Sequence, residues 1–270
     1  DPGETRAAVS VLIRVSGIGD VTGWEVTPSV VRTQAALTYE GADVALLDPT
    51  SPWHWMLGHL EGISRALRSR RDKAGAITLD RSEMSIKVGP LGDVDVKIVS
   101  RTRTREMVAE LMILCNTLLA EFARDSQIPA AYRSQPSADL SGIATETTAE
   151  RSPVFSRYLV MRRFPPADLD LSPAPHAGLG VPAYIQATSP LRRYPDLVIQ
   201  RQIRHFLATG RPLYSTEEIA SVAQRAEVQL REIAGLEEDR KRYWFLKYLQ
   251  QTRLREGISD PESQDFVAVV

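Results

Sequence analysis

The stretch running from Tyr184 to Ile203, YIQATSPLRRYPDLVIQRQI, concentrates the groups that a phosphodiester needs. Thr188 and Ser189 bring hydroxyls, and Arg192 and Arg193 bring guanidinium forks. Pro195 opens a helix whose first N–H groups are free to face an anion. Arg201 and Arg204 follow on that helix, three apart and on one face. Tyr194, beside the arginines, has a ring that stacks on a base or packs against the fold. The same residues also suit a plain loop whose solvated arginines cap a helix, and spacing alone leaves the two readings even.

The elements that position this stretch follow from periodicity. Residues 7–14 and 24–31 alternate as two strands around a Gly-containing turn at 16–20, with Pro28 at an edge or bulge. Residues 75–79 and 83–88 read as a second strand pair, and 93–99 as the cleanest period-two run. Helices are expected over 40–47, 56–71 and 104–124. In the last of these, Met107, Leu111, Leu114, Leu118 and Phe122 recur at steps of three and four. Residues 134–152 read as loop with a short helix, 155–161 as a short apolar segment, and 164–175 as a Pro-rich extended connection. Helices follow over about 195–207 and 216–249, then a linker around Gly257 and a strand at 266–270.

Composition excludes several classes. Apolar residues are 43% and charged residues 25% of 270, ordinary for a globular chain and wrong for a disordered or collagen-like one. A net charge of −1 excludes a basic nucleic-acid coat, so any polyanion site is local. A single cysteine, Cys115, excludes an internal disulfide framework; set in an apolar helix, it reads as buried and inert. No apolar run reaches the ~18 residues of a membrane span, and the first residues carry no signal-peptide core, so a cytoplasmic protein is expected. Arg65, Arg68, Arg70, Arg71 and Lys73 form a basic run that lines an RNA path or simply solvates a helix face. His54 and His59, beside Trp53 and Trp55, show no ligand spacing.

Five segments, in order over about residues 6–250, resemble the ribonuclease II/ribonuclease R (RNB) family. TSPLRRYPDL with the later Arg201 is similar to the family's YxHFTSPIRRYxDLxxHRxL. The run from His176 to Gly180 (HAGLG) is similar to HFGLGL, the run from Ala109 to Asn116 (AELMILCN) to EExMIxxN, and the run from Ala76 to Leu79 (AITL) to GAxxL. Arg32 and the later Leu37 to Tyr39 (LTY) are similar to SxIRSxxxLTY. The resemblance implies an α+β catalytic domain over 1–255, a mixed or antiparallel sheet surrounded by helices. Residues 256–270 would then be a linker and the opening strand of an OB-type RNA-binding barrel. It implies processive 3′-to-5′ hydrolysis of single-stranded RNA with Mg²⁺, by in-line displacement between two metals. Arg192 would sit on the scissile phosphate, where losing such a donor lowers rate by ~10²- to 10³-fold. Thr188, Ser189, Arg193, Tyr194, Arg201 and His176 would line the RNA or hold its surroundings. Glu110 would orient an arginine or a ribose, or make a structural salt bridge. Glu237 would face RNA from its helix, or be part of a solvated face.

The departures are specific. The family's metal-binding aspartates, roughly DxxxxxDxDD, have no counterpart, so no residue here is assigned to metal. Asp93 and Asp95 are the nearest pattern, but they lie on a strand and out of order. The opening Asp1 to Glu4 (DPGE) is similar to a family segment that follows the aspartates, so the metal-binding portion would lie upstream: in a missing segment of the same protein, cut away or disordered, on another chain, or never present. Ala177, Gln186, Ala187 and Gln200 replace residues usual in the motifs. The rival expectation is an inactive RNB-like protein that binds RNA or a partner.

Overall fold

The computed structural model describes residues 2–77, 83–99, 102–138 and 162–255. In chain order the elements are β1 (Thr5–Val15), β2 (Val21–Arg32), α1 (Tyr39–Leu47), α2 (His54–Lys73), β3 (Glu83–Val88), β4 (Val94–Val99), α3 (Arg103–Asp125), β5 (Tyr132–Ser134), β6 (Asp168–Asp170), a 3₁₀ turn (Ala177–Leu179), α4 (Tyr194–Thr209) and α5 (Thr216–Arg255). They divide into two units. One holds described residues up to 77, 102–138 and 164–226; the other holds 83–99, 162–163 and 227–255. No helix of the described residues is long and apolar enough to cross a membrane.

In the first unit β1 and β2 form an antiparallel hairpin, with Val11 opposite Val26 and Ile13 opposite Trp24. Val9, Val11 and Val26 pack on a core of Leu119, Ala120 and Ala123 from α3, Ala183, Ile185 and Ala187 from the following segment, and Ile199 and Ile203 from α4. Trp24 meets Phe122 edge-on at 6.4 Å, and Phe122 meets Phe206 at 6.0 Å. This locks hairpin, α3 and α4 into one body. Local signals set the helix ends. The Thr38 hydroxyl accepts from Gly41 N at 3.0 Å to cap α1, and the Thr102 hydroxyl accepts from Arg105 N at 3.4 Å to cap α3. Buried Thr104 ties α3 to α1, donating its hydroxyl to Asp43 Oδ1 at 2.9 Å. Ser215 and Glu218 exchange backbone and side-chain bonds of 2.8 and 3.2 Å as a capping box for α5.

In the second unit β3 pairs antiparallel with β4, Met84 opposite Ile98 and Val88 opposite Val94. This corrects the expected pairing of 75–79 with 83–88. Residues 75–77 are not strand, and 78–79 lie outside the described residues. The reason is the tight turn after β3, where Gly89 N donates to Asp93 O at 2.8 Å and Gly92 takes φ +79°. That turn returns the chain beside itself, and Gln251 of α5 clasps it, donating to Gly92 O at 2.8 Å and accepting from Val94 N at 2.9 Å. α5 runs past the expected end at 249 because no breaker occurs before Gly257. The expected segments 139–152, 155–161 and 266–270, and the linker with the barrel's opening, lie outside the described residues.

Candidate nucleic-acid interface

The two adjacent arginines of the motif point opposite ways. Asp196, wholly buried in the first turn of α4, accepts from Ser189 N at 2.8 Å and from Arg193 Nη2 at 2.7 Å. A carboxylate there also favours the positive end of the helix. Arg193 is thereby folded in, with its side chain 20% exposed. Arg192 is left outside, touching only the Ser189 hydroxyl, through Nη2 at 3.4 Å, among the described residues. Ser189 O accepts from both Arg192 N at 3.2 Å and Arg193 N at 3.0 Å, which closes the turn. Tyr194 lies 63% exposed beside it.

Asn116 of α3 holds the loop from below. Its amide donates to Tyr184 Oη at 3.0 Å and to the Thr188 hydroxyl at 3.2 Å, and its oxygen accepts from Ala187 N at 3.1 Å. Gln200 of α4 donates to Ala187 O at 2.6 Å. Gln200 therefore fixes loop backbone. A buried, fully bonded polar network of this kind rigidifies what it holds.

His176 does not face outward. It is buried edge-on against Tyr184 at 5.8 Å, its Nδ1 has no partner, and burial, helped by Arg133, pushes its pKa down to about 4. It packs edge-on as a buried ring whose surroundings disfavour a charge. The turn that follows is clamped to α2 and α3. Arg71 donates from Nε to Glu110 Oε2 at 2.8 Å, from Nη2 to Glu110 Oε1, and from Nη1 to Leu179 O at 2.7 Å. Arg68 adds a longer contact to Glu110 at 3.4 Å. Glu110 is thus a buried structural carboxylate that orients arginines. Gly180 takes φ +65° where a Cβ would come within 2.7 Å of Arg71 O, so only glycine fits.

Much of the basic run is consumed by these contacts. Arg68 and Arg71 serve Glu110, and Arg70 is held by Asp20 and by Gly19 O. Arg201 is exposed on α4, with its guanidinium 5.8 Å from the Tyr214 ring. Glu237 belongs to the second unit, on an exposed stretch of α5. A cleft of about 650 Å³ is walled by Trp24, Arg71, Glu110, Thr117 and Gly180, but none of residues 187–194 line it.

Asn116 is structural, and Asp196 is a site residue that the motif pattern did not single out. The signal for Asp196 was present, as an acidic residue in the first turn of a Pro-started helix, three after an arginine. The described residues contain no group of three or more His, Cys, Asp or Glu able to hold a metal, and Glu110 and Asp196 are both committed to arginines. These residues do not fit a Mg²⁺ pair.

Comparison with known proteins gives the context. The RNB domain model matches residues 1–209. The chain is 33% identical over 265 residues to ribonuclease II, chloroplastic/mitochondrial, of Arabidopsis thaliana, covering 92% of this chain and 32% of that one. It is 30% identical over 258 residues to an uncharacterized ribonuclease of Synechocystis, covering 92% and 37%. The chain therefore spans about a third of the length of these relatives. In fold it is similar to Mycoplasma genitalium RNase R in complex with ribose methylated single-stranded RNA, at TM-score 0.70, 19% identity, and 84% and 40% coverage. It is likewise similar to yeast Ssd1, described as a pseudonuclease, at TM-score 0.64, 18% identity, and 84% and 32% coverage.

Proposed function

The chain belongs to the RNB domain family, and on that footing we propose that it is the RNA-holding portion of a 3′-to-5′ exoribonuclease acting on single-stranded RNA. The observation that carries the reading is the sorting of two neighbouring arginines, Arg193 inward on Asp196 and Arg192 outward on a locked turn. A guanidinium presented outward from such a turn is free to meet phosphate oxygens with two parallel donors. Thr188 and Ser189 shape the turn, Asn116 and Gln200 fix its backbone, and Arg201 extends the positive face along α4. Tyr194 offers an exposed ring beside the phosphate. RNB-family nucleases are generally metal-dependent, and this reading leaves the metal ligands outside the described residues.

The test is a 5′-labelled single-stranded RNA incubated with the protein and Mg²⁺, and in parallel with EDTA. A ladder of shortening products that needs Mg²⁺ and falls at least ~10²-fold in Arg192→Ala supports the reading. A second reading, an inactive RNA-holding protein, is favoured by the lack of a metal-holding group among the described residues and by the fold likeness to a pseudonuclease. It predicts RNA binding that Arg192→Ala weakens, with no shortening under either condition.

A further inference from the structure

We propose that Gln200 is a positioning residue for Arg192: from α4 it grips the loop that carries the arginine and sets where the guanidinium meets an RNA phosphate. The proposal rests on the reading that Arg192 binds RNA. Gln200 stands where the motif has histidine, and Ala187 where it has phenylalanine. These two departures are 13 residues apart in sequence, yet they meet in the fold, where Gln200 Nε2 donates to Ala187 O at 2.6 Å. Ala187 is 1% exposed, in one core cluster with Ala183, Ile185 and Ile199. Its carbonyl is shut off from water, so the bond from Gln200 satisfies a group that would otherwise be buried without a partner. Its N–H is taken from the other side by Asn116 Oδ1 at 3.1 Å.

Gln200 works with Asp196. The two lie at i and i+4 on α4 and so share the helix face turned to the loop. Asp196 accepts from Ser189 N at 2.8 Å, and Gln200 donates to Ala187 O, so one grip falls on each side of Thr188. Two residues of chain reach ~7 Å at most, close to the ~5.4 Å pitch of a helix, so one turn of α4 spans both grips. Asn116 ties the same stretch to α3, through Ala187 N and the Thr188 hydroxyl. Without Gln200, Asp196 is the remaining side-chain hydrogen bond from α4 to the loop among the described residues, and a single hold is a pivot. With both, Ser189 O is fixed where it accepts from Arg192 N at 3.2 Å and Arg193 N at 3.0 Å. Arg192 has one weak side-chain contact of its own, to the Ser189 hydroxyl at 3.4 Å. Its place is therefore inherited from the backbone beneath it, which is what Gln200 holds.

The experiment measures fluorescence anisotropy of a labelled single-stranded oligoadenylate with the whole chain, as a double-variant cycle. Gln200→Met keeps the length of the side chain and removes its N–H. It is expected to weaken binding about 2- to 10-fold, the worth of one hydrogen bond, and to change nothing further once Arg192→Ala is present. Gln200→His, which offers an N–H at similar reach, is expected to hold affinity within about 2-fold of wild type. Ile203→Val, a core change on the same helix, is expected to lower the melting temperature with affinity unchanged, which separates positioning from stability. Wild-type affinity in Gln200→Met, with Arg192→Ala weakened, overturns the positioning role and leaves the RNA reading standing. So does an equal loss from Gln200→Met in both backgrounds, which marks a contact of Gln200 with RNA that does not run through Arg192. Gln200→His no better than Gln200→Met also overturns it. Wild-type affinity in Arg192→Ala, or no binding by the wild-type chain, overturns the RNA reading and the positioning role together.

Discussion

Asp196→Ala should cost the first unit about 3 kcal/mol, and the figure follows from what the carboxylate holds. Its Oδ2 accepts from Ser189 N at 2.8 Å and from Arg193 at 2.7 Å, with the Asp196 side chain 1% exposed and that of Arg193 20% exposed. Removing one partner of a buried pair typically costs ~3–5 kcal/mol, because the other charge stays behind without compensation. Arg193 retains some access to water, which places the loss at the lower end. For a unit of this size about 3 kcal/mol lowers the melting temperature by roughly 6–12 °C. A circular-dichroism melt of wild type, Asp196→Ala, Arg193→Met and the double variant measures it. The double variant should be more stable than Asp196→Ala by at least ~1 kcal/mol, since removing the stranded guanidinium relieves the defect. Strict additivity of the two single losses, or a loss below ~1 kcal/mol for Asp196→Ala, would refute the claim that this carboxylate sorts the arginines.

Other consequences are equally direct. His176 is held neutral, its pKa pushed from 6.5 down to about 4, so the unfolded chain binds the extra proton first. Stability should therefore be fully present above pH ~6.5 and fall by roughly 3 kcal/mol as pH drops toward 4; urea titrations of His176→Phe should lack that slope. Gly180→Ala forces a side chain into φ +65° and against Arg71 O at 2.7 Å, so a urea midpoint should report a loss of at least ~1–3 kcal/mol. Partial burial pushes the Cys115 thiol up to about 11, so a thiol reagent at pH 8 should label it slowly in the folded chain and much faster after denaturation. Glu110→Gln should destabilise by ~3 kcal/mol, since it strands Arg71 between α2 and Leu179 O; hydrogen exchange at residues 177–180 should then speed up.

The features legible in the sequence were local. The α3 stripe from Met107 to Phe122, the Pro195 start of α4, the acidic start of α5 and the hairpin around residues 16–20 each depend on neighbours a few residues apart, and each formed. The partner of β3 could not be read, because three runs of similar strand character lay within 25 residues and only the turn at Gly92 chose between them. The site divided the same way. TSPLRRYPDL announced phosphate chemistry, but the direction of each arginine depended on Asp196 being buried. The role of Glu110 depended on Arg71, 39 residues away in sequence. His176 had the right type for a phosphate contact, but its burial, which with Arg133 lowers its pKa, depends on residues distant in sequence.

The most direct measurement is the affinity of a single-stranded RNA for the wild-type chain and for Arg192→Ala across a salt series. Arg192 facing a phosphate predicts weaker binding in the variant and a logarithmic salt slope shallower by about 0.7. Identical affinities and identical slopes would contradict the account.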